Sequence, residues 1–185
     1  MSMESRRGLL STAGRTLSLL GLGALVGARP AAAQETAAAE PVKLLQIGVC
    51  VSDLERSVKF YTEALGFKLE GKPVPIPKTL NKLLEQPADF DMTVQFVSKN
   101  GVRIELINFK SPAVKNDGRR AMNQAGLTHI ALQVADFDTT VAAIKRLGGT
   151  AVDSTMLNAG PAKYMFCTDP DGTRLEITMP PPAKT

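Results

Sequence analysis

The chain contains an internal repeat, which constrains its fold more strongly than any other feature of the sequence. The segments LLQIGVCVSDLERSVKFYTEALGF and GVRIELINF of the first half are matched in the second half by LTHIALQVADFDTTVAAIKRLGG and DGTRLEITM. The alignment places Gln46 on His129. It also places Asp53 on Asp136, where a helical pattern begins in each half. A repeat of this kind indicates two copies of one supersecondary unit.

The two halves predict the same order of secondary structure. The first half predicts a strand at 44–51, a helix between Asp53 and Gly66, a strand at 67–70, and a hairpin of 91–98 and 102–109. The second half predicts a strand at about 127–134, a helix at about 137–147, a strand at about 150–153, and a hairpin of 163–168 and 173–179 around the turn Asp169-Pro170-Asp171-Gly172. The order is βαβββ twice, which predicts an α+β fold of two tandem modules.

Three segments fall outside this pattern. Residues 71–90 are rich in proline and predict a long loop with a short helix near 79–85, of the kind that serves as a lid or binding loop. Residues 110–126 form a polar connector, and residues 34–41 have the composition of a disordered tether. The predicted organisation is a domain at 42–180, made of module one at 42–109, the connector at 110–126 and module two at 127–179.

The first 33 residues have the pattern of a cleaved export signal. Arg6 and Arg7 precede an apolar run from Leu17 to Ala28, and Ala31-Ala32-Ala33 follows it. Paired arginines before a mildly apolar run resemble a twin-arginine signal. An uncleaved anchor helix is the alternative, but the run is shorter than the roughly 20 residues that a membrane span needs. We therefore expect a periplasmic or secreted protein with no membrane association after cleavage.

Removal of this leader changes the charge of the chain. The whole chain has a net charge of +4, and the leader carries four arginines against one glutamate, so the mature chain is about +1. With no basic patch interleaved with aromatic residues, a nucleic-acid partner is not expected. The two cysteines, Cys50 and Cys167, are too few for a disulfide scaffold. We expect both to be buried thiols.

Four residues at matching positions of the repeat are candidate metal ligands. They are Gln46 and Glu105 in the first half and His129 and Glu176 in the second. A carboxylate flanked by apolar residues in a strand is costly to bury alone, and a divalent cation would remove that cost. Imidazole, amide and carboxylate groups suit Zn²⁺, Ni²⁺, Mn²⁺ or Co²⁺. Taken singly, each residue has a structural explanation, and it is their recurrence in the repeat that favours a metal site.

The capping aspartates, the Asp-Pro-Asp-Gly turn and the two strand glutamates together resemble the vicinal-oxygen-chelate superfamily, which groups glyoxalases, bleomycin-resistance proteins and extradiol dioxygenases. The resemblance covers residues 42–179. It implies that two βαβββ modules form an open, cup-shaped sheet with metal ligands on the first and last strand of each module. The ligand set of this chain is similar to that of zinc-type glyoxalase I, so Zn²⁺ is the metal most expected.

Some residues separate this chain from other members of the resembling group. His129 is the only histidine, so one subunit cannot supply the two-histidine sites of extradiol dioxygenases, fosfomycin-modifying enzymes or methylmalonyl-CoA epimerases. The glutathione-binding arginine of glyoxalase I corresponds to Cys50 here, and its asparagine to Phe109, with Asn108 one place away. The basic residues expected near the site are Arg119, Arg120 and Lys163. These differences predict a substrate that is not linked to glutathione.

The leading functional expectation is an exported, metal-dependent lyase or isomerase of glyoxalase type. It would act on a small carbonyl substrate through an enediolate, with the metal as Lewis acid and Glu105 or Glu176 as general base. The alternative is a binding protein that keeps the cup and sequesters a small ligand without turnover. A third reading is a cup without a metal.

The resemblance also bears on assembly. In the resembling family the cup is often completed by modules from two subunits, so we expect a homodimer rather than a monomer. The connector after Glu105 is long enough for either arrangement.

Overall fold

The computed structural model describes residues 42–116, 118 and 120–181. The signal peptide predicted at 1–33 and the tether predicted at 34–41 lie outside these residues, as does Arg119. In the described part of the chain, no helix combines the length and apolar character needed to cross a membrane. The architecture below is therefore that of the two modules.

Module one consists of a four-stranded sheet and one helix. Its elements are β1 (Ile47–Cys50), α1 (Leu54–Lys59), a π-helical turn (Phe60–Ala64), β2 (Lys68–Pro75), a 3₁₀ turn (Lys78–Leu80), β3 (Asp91–Lys99) and β4 (Val102–Ser111). The strand order is β1-β4-β3-β2. Strand β1 runs parallel to β4, and the other pairs are antiparallel.

Module two repeats this plan. Its elements are β5 (Ile130–Gln133), α2 (Phe137–Arg146), β6 (Thr150–Ala151), a 3₁₀ turn (Asp153–Thr155), β7 (Leu157–Ala159), β8 (Ala162–Thr168) and β9 (Arg174–Met179). The strand order is β5-β9-β8-β6, and β7 pairs with β8. Strand β5 is parallel to β9 as β1 is to β4. The α+β class and the doubled βαβββ order predicted from the sequence are confirmed.

Each helix begins and ends by the same chemistry in both modules. The Asp53 carboxylate accepts a hydrogen bond of 3.0 Å from the Arg56 amide, and the Asp136 carboxylate accepts one of 2.9 Å from the Thr139 amide. These bonds satisfy backbone donors that a first helical turn leaves free. Gly66 and Gly148 then end the helical segments with positive φ, a conformation in which a side chain is strained.

The two modules share one hydrophobic core. It combines Val51 and Phe60 of module one with Ile144 and Leu175 of module two, all fully buried. Packing is so close that a Cβ on Gly149 would lie 2.8 Å from the Phe60 ring and 2.4 Å from the carbonyl oxygen of Thr168. The absence of a side chain at Gly149 therefore permits the contact between modules.

The turn between β8 and β9 is anchored to module one. The Tyr61 hydroxyl donates a hydrogen bond of 3.0 Å to the buried carboxylate of Asp169, whose other oxygen accepts from the amides of Asp171 and Thr173. Burial raises the pKa of Asp169, and burial followed by the neighbouring Asp169 raises the pKa of Tyr61 well above its usual value. Asp171 adds an ion pair of 2.8 Å with Arg56 of α1.

Three sequence predictions need correction. The loop predicted at 71–90 is shorter, because residues up to Pro75 continue β2 across an irregularity in its register with β3. Its predicted helix near 79–85 is a single 3₁₀ turn at Lys78–Leu80. Cysteine 50 is exposed and not buried, because its strand position turns it to the outer face of β1, whereas Cys167 is buried as predicted.

Candidate metal centre

The outer faces of the first strands carry the candidate site. In β1 the small residue Gly48 and its neighbour Cys50 are exposed, while Val49 is buried in the shared core. In β5 Ala131 and Gln133 are exposed in the same way. Strand alternation therefore turns the side chains at even positions of β1 and odd positions of β5 away from the core.

Gln46 and Glu105 form the first pair of candidate ligands, here called half-site one. The Gln46 side-chain amide donates a hydrogen bond of 2.7 Å to Oε2 of Glu105. The parallel register places Gly48 beside Glu105, and a Cβ at Gly48 would lie 4.0 Å from the same oxygen. The small neighbour leaves the carboxylate open to the outer face.

His129 and Glu176 form the second pair, half-site two. Nε2 of His129 lies 3.1 Å from Oε2 of Glu176, and the two side chains are 27% and 29% exposed. Nδ1 of His129 lies 2.9 Å from the Thr128 hydroxyl, and the imidazole meets the Phe166 ring edge-on at 5.5 Å. The ring is thus held on three sides while its Nε2 points to the carboxylate.

The repeat alignment holds in three dimensions at both half-sites. Gly48 lies beside Glu105 in module one, as Ala131 lies beside Glu176 in module two. On the other flank of each glutamate, Phe96 and Phe166 occupy equivalent positions. These two phenylalanines were not singled out from the sequence, although their equivalent pairing with the glutamates follows once the hairpins are aligned.

The two half-sites remain separate within one chain. Among residues 42–116, 118 and 120–181, no group of three or more His, Cys, Asp or Glu side chains is close enough to hold a metal ion. Glu105 therefore does not join His129 and Glu176 in a single cluster. Each half-site offers two donors, and a complete shell needs donors from elsewhere.

An arginine flanks each half-site on the returning strand. Nε of Arg103 lies 2.8 Å from a carboxylate oxygen of Glu70, and its guanidinium stacks 3.8 Å from the centre of the Phe96 ring. Arg174 is buried and donates hydrogen bonds to the backbone carbonyls of Thr128 and Arg120. The sequence alignment shows that these arginines are equivalent, but only the structure shows that Arg103 contacts a carboxylate and Arg174 contacts backbone carbonyls.

Of the basic residues expected near the site, Arg120 lines a cavity together with His129, whereas Lys163 lies elsewhere. Arg120 is exposed and donates to the carbonyl of Ala125. Lys163 pairs with Asp138 of α2 at 2.7 Å, on the face of β8 opposite to Phe166, so its expected proximity to the site was wrong. Asn108 donates to the carbonyls of Val51 and Ser52 and so closes the end of β1. Although Cys50 is exposed at the surface, partial desolvation of its thiol and the nearby Asp171 raise the pKa of that thiol.

Known proteins are similar to this chain in sequence. Residues 43–177 match the model of the Glyoxalase/Bleomycin resistance protein/Dioxygenase superfamily. A probable lactoylglutathione lyase of Vibrio parahaemolyticus is 29% identical over 141 residues, covering 73% of this chain and 88% of its own length. A probable chloroplastic lactoylglutathione lyase of Arabidopsis thaliana is 29% identical over 138 residues, and the match spans 73% of this chain but only 35% of that protein.

Solved structures agree at the level of the fold. A glyoxalase family protein from Bacillus cereus superposes with a TM-score of 0.64 at 19% identity, covering 77% of this chain and 98% of that one. The family model spans most of the described residues and includes all four candidate ligands. The chain therefore belongs to the glyoxalase, bleomycin-resistance and dioxygenase superfamily.

Proposed function

We propose that the protein is a metal-dependent lyase or isomerase of glyoxalase type that acts on a small carbonyl compound. The observation that carries the proposal is the pairing of ligand-type side chains at equivalent places of both modules. Gln46 contacts Glu105 and His129 contacts Glu176, in each case on an exposed face beside a small residue. A structural role for one such pair is ordinary, but its repetition favours a shared ligand.

The donors of the two half-sites fit a divalent metal ion. Gln46 offers an amide oxygen, His129 offers Nε2, and the glutamates offer carboxylate oxygens, which together suit Zn²⁺ best and also Ni²⁺, Mn²⁺ or Co²⁺. Bound there, the metal would supply Lewis-acid polarisation of a substrate carbonyl. Rotation of the Gln46 amide would turn its oxygen outward and release Glu105 from the hydrogen bond that it now accepts.

A glutamate would move the proton. Glu105 and Glu176 each have one oxygen in contact with a polar partner, and both are partly exposed, so a substrate can approach either carboxylate. Transfer of a proton between adjacent carbons of a carbonyl compound needs one base within hydrogen-bond reach of both. The glutamate that does not act as base would remain a ligand.

We also propose that the complete site is shared between two copies of the chain. Each half-site supplies two donors, and the outer faces of both modules are open. A two-fold symmetric dimer that placed half-site one of one copy against half-site two of the other would create two identical sites. This arrangement requires the homodimer expected from the sequence.

A mixing experiment tests the site and its sharing together. One variant carries Gln46→Ala and Glu105→Ala, and the other carries His129→Ala and Glu176→Ala. Unfolded together and refolded with zinc, the mixture should bind about a quarter of the wild-type metal, because half of the dimers are mixed and each mixed dimer keeps one intact site. Each variant refolded alone is the control and should bind little.

Two outcomes would contradict this proposal. A wild-type protein that binds no metal would refute the metal centre. A wild-type protein that binds metal while it is monomeric would refute the sharing of the site between two copies. Tight binding of a carbonyl compound without solvent-deuterium incorporation would instead support the binding protein that sequesters a ligand.

The substrate class is proposed from this chain's own residues. The relatives described above are named as probable lactoylglutathione lyases, yet Cys50 and Phe109 stand where the resemblance would place arginine and asparagine. We propose that the preferred substrate lacks glutathione. Deuterium incorporation should be measured for 2-oxoaldehydes, their thiol adducts and 2-hydroxy ketones, and a glutathione adduct that proves the best substrate would refute this part.

Export is proposed on the sequence alone. Arg6-Arg7 and Ala31-Ala32-Ala33 have the pattern of a signal that is cleaved after residue 33 on the folded-protein route. Replacing both arginines by lysine should hold the uncleaved precursor in the cytoplasm. An unchanged yield of mature protein outside the cytoplasm would count against that route.

A further inference from the structure

Arg174 is a buried cation in the strand of half-site two. The residue is only 6% exposed. Its hydrogen bonds reach two backbone carbonyls, and its guanidinium lies 5.7 Å from the centre of the Phe166 ring. Within the described residues it forms no ion pair. Carbonyl dipoles and the ring offset part of the cost of burial, but no carboxylate of the described residues pairs with the charge.

The matched arginine of module one is neutralised. Arg103 and Glu70 lie 2.8 Å apart, on a site that is more than one-third exposed. The more buried of the two arginines is thus the one without a carboxylate. Since charges are more costly to bury than to expose, the arrangement at Arg174 favours an anion beside it that the described residues do not supply.

A cavity of about 210 Å³ opens beside Arg174. Arg120 and His129 also line it. The Arg120 guanidinium lies against the backbone of Gly126, where a Cβ would come within 2.6 Å of Nη1. Asp171 is an acidic residue of the lining, but its carboxylate is held by Ser52 and Arg56. Among the described residues of the lining, positive charge is therefore in excess.

We infer that this cavity is a carboxylate-binding subsite, with Arg174 as its main cation and Arg120 as its second. A planar guanidinium donates two parallel hydrogen bonds to a carboxylate. The volume accommodates a carboxylate with its neighbouring carbon, given that one water occupies about 30 Å³ in the liquid. The inference deepens the proposed function and rests on it for the position of the metal.

The place of the subsite defines the substrate class. The parallel register of β5 with β9 pairs Ile130 with Leu175, so one step back it sets His129 beside Arg174. A carboxylate in the cavity would leave the adjacent carbonyl next to His129 and Glu176. The substrate is then a small carbonyl compound with a carboxylate close to the reacting carbon, such as a 2-oxo acid.

The test compares pyruvate with pyruvamide, which has the same shape and no charge. Both are titrated by ligand-observed NMR against the full chain after removal of metal, so that preference for the anion comes from protein cations alone. We expect pyruvate to bind at least about tenfold more tightly than pyruvamide, as hydrogen bonds to a buried charge allow. Arg174→Gln should abolish the preference, and Arg120→Gln should reduce it.

Arg103→Gln is the matched control, because it removes the equivalent arginine of module one and should leave the preference intact. Arg174→Lys keeps the charge but loses the planar guanidinium, so it should retain part of the preference for pyruvate. This variant also tests the inference if Arg174→Gln does not fold. Equal binding of pyruvate and pyruvamide, or a preference lost in Arg103→Gln and kept in Arg174→Gln, would overturn the inference.

The result also separates this inference from the proposed function. Anion preference in a chain that binds no metal would keep the subsite and remove the metal centre. Turnover of uncharged carbonyl compounds, together with equal binding of pyruvate and pyruvamide, would keep the proposed function and refute the subsite. Stronger competition by inorganic phosphate than by acetate would overturn the choice of a carboxylate in favour of a phosphate group.

Discussion

Modules one and two have equivalent strand arrangements but carry different side chains around their glutamates. In module one an amide and a carboxylate face outward, and the neighbouring arginine is balanced by Glu70. In module two an imidazole replaces the amide, and Arg174 is buried without an ion pair among the described residues. Duplication has thus preserved the strand register that positions the glutamates, while the surroundings of the equivalent arginines have diverged, so that Arg103 has a carboxylate partner and Arg174 has none in the part of the chain that the structure describes.

The helix ends show a second divergence. Gly66 and Gly148 end the two helical segments in the same backbone conformation. The next residue is Phe67 in module one, which is buried and meets the Tyr61 ring at 5.8 Å, but Gly149 in module two. The space left by Gly149 is taken by Phe60 of module one. The two helix ends therefore pack differently in the shared core, and of the two only that of module two depends on a missing side chain.

The largest expected effect concerns the two glutamates. In metal-loaded protein, Glu105→Gln should lose about 10²–10⁴-fold in turnover if Glu105 is the general base, while amide oxygen still coordinates the metal. Glu176→Gln is the matched variant; if Glu176 is only a ligand, its amide oxygen should likewise keep the metal, and turnover should fall far less than in Glu105→Gln. Metal analysis and deuterium incorporation separate the roles. Equal turnover in wild type and both variants would show that neither glutamate is the base.

The helix-end comparison predicts unequal costs of adding a methyl group. Gly149→Ala should lower the free energy of unfolding by about 3 kcal/mol, because its Cβ meets a backbone carbonyl that cannot move aside. Gly66→Ala should cost about 1–2 kcal/mol, since the strain there is only that of a side chain at positive φ and the near atom is the flexible Lys99 ammonium. Urea unfolding measures both. A larger loss for Gly66→Ala would contradict the packing described.

The tyrosine of module one should stabilise the turn of module two. Tyr61→Phe removes the hydrogen bond to the buried Asp169 and should cost about 1–3 kcal/mol. Tyr164→Phe is the control, because no hydrogen bond of that hydroxyl is found in the described residues, and it should stay within about 0.5 kcal/mol of wild type. Similar decreases of the free energy of unfolding in both variants would indicate that the hydrogen bond from Tyr61 to Asp169 does not stabilise the fold.

Asp169 also predicts a pH dependence. Burial raises its folded-state pKa above the usual 3.8, so its protonation stabilises the folded state below that value, and this contribution is lost as the pH rises through the folded-state pKa. Asp169→Asn does not titrate. The Tm of wild type minus that of the variant should therefore grow as the pH falls from 7 towards 4. A constant difference would indicate an unshifted carboxyl.

The smallest effect distinguishes the two thiols. Burial raises the pKa of Cys167 to about 11, so at pH 8 roughly one molecule in a thousand carries its thiolate. Cys50 also has a raised pKa but is exposed. Iodoacetamide should therefore modify Cys50 first in the folded protein and Cys167 only after unfolding. Mass spectrometry of peptides from the native and urea-treated chain decides this, with Cys50→Ser as the control.

The sequence predicted those parts of the molecule that local chemistry determines. Alternation, the Asp53 and Asp136 caps and the terminal glycines gave both modules, the fold class and the helix ends. The fit of the second hairpin is close, because Asp-Pro-Asp-Gly is a strong turn signal. The extension of β2 to Pro75 was missed, since prolines argue against a strand, although β2 is an edge strand where they are tolerated.

The candidate site was predictable residue by residue but not in its assembly. Parity along a strand predicted which face each candidate ligand occupies, and the contacts of Gln46 with Glu105 and of His129 with Glu176 are compatible with that prediction. The separation of the two pairs depends on how the modules pack, which no local pattern encodes. The surroundings of Arg174 were missed for the same reason, because one of its two carbonyl partners, that of Arg120, comes from the connector.

The anchoring of the β8–β9 turn onto α1 has a kinetic consequence. Tyr61 and Asp169 lie 108 residues apart in sequence, and Arg56 and Asp171 lie 115 apart. Such long-range contacts form late and slow the folding of a chain, because a large loop must close before they contribute. During synthesis module one emerges with Phe60 and Tyr61 uncovered until nearly the whole chain has been made. Any nascent chain that stops before Asp169 exposes an aggregation-prone apolar surface, which chaperones can bind and proteases can cleave.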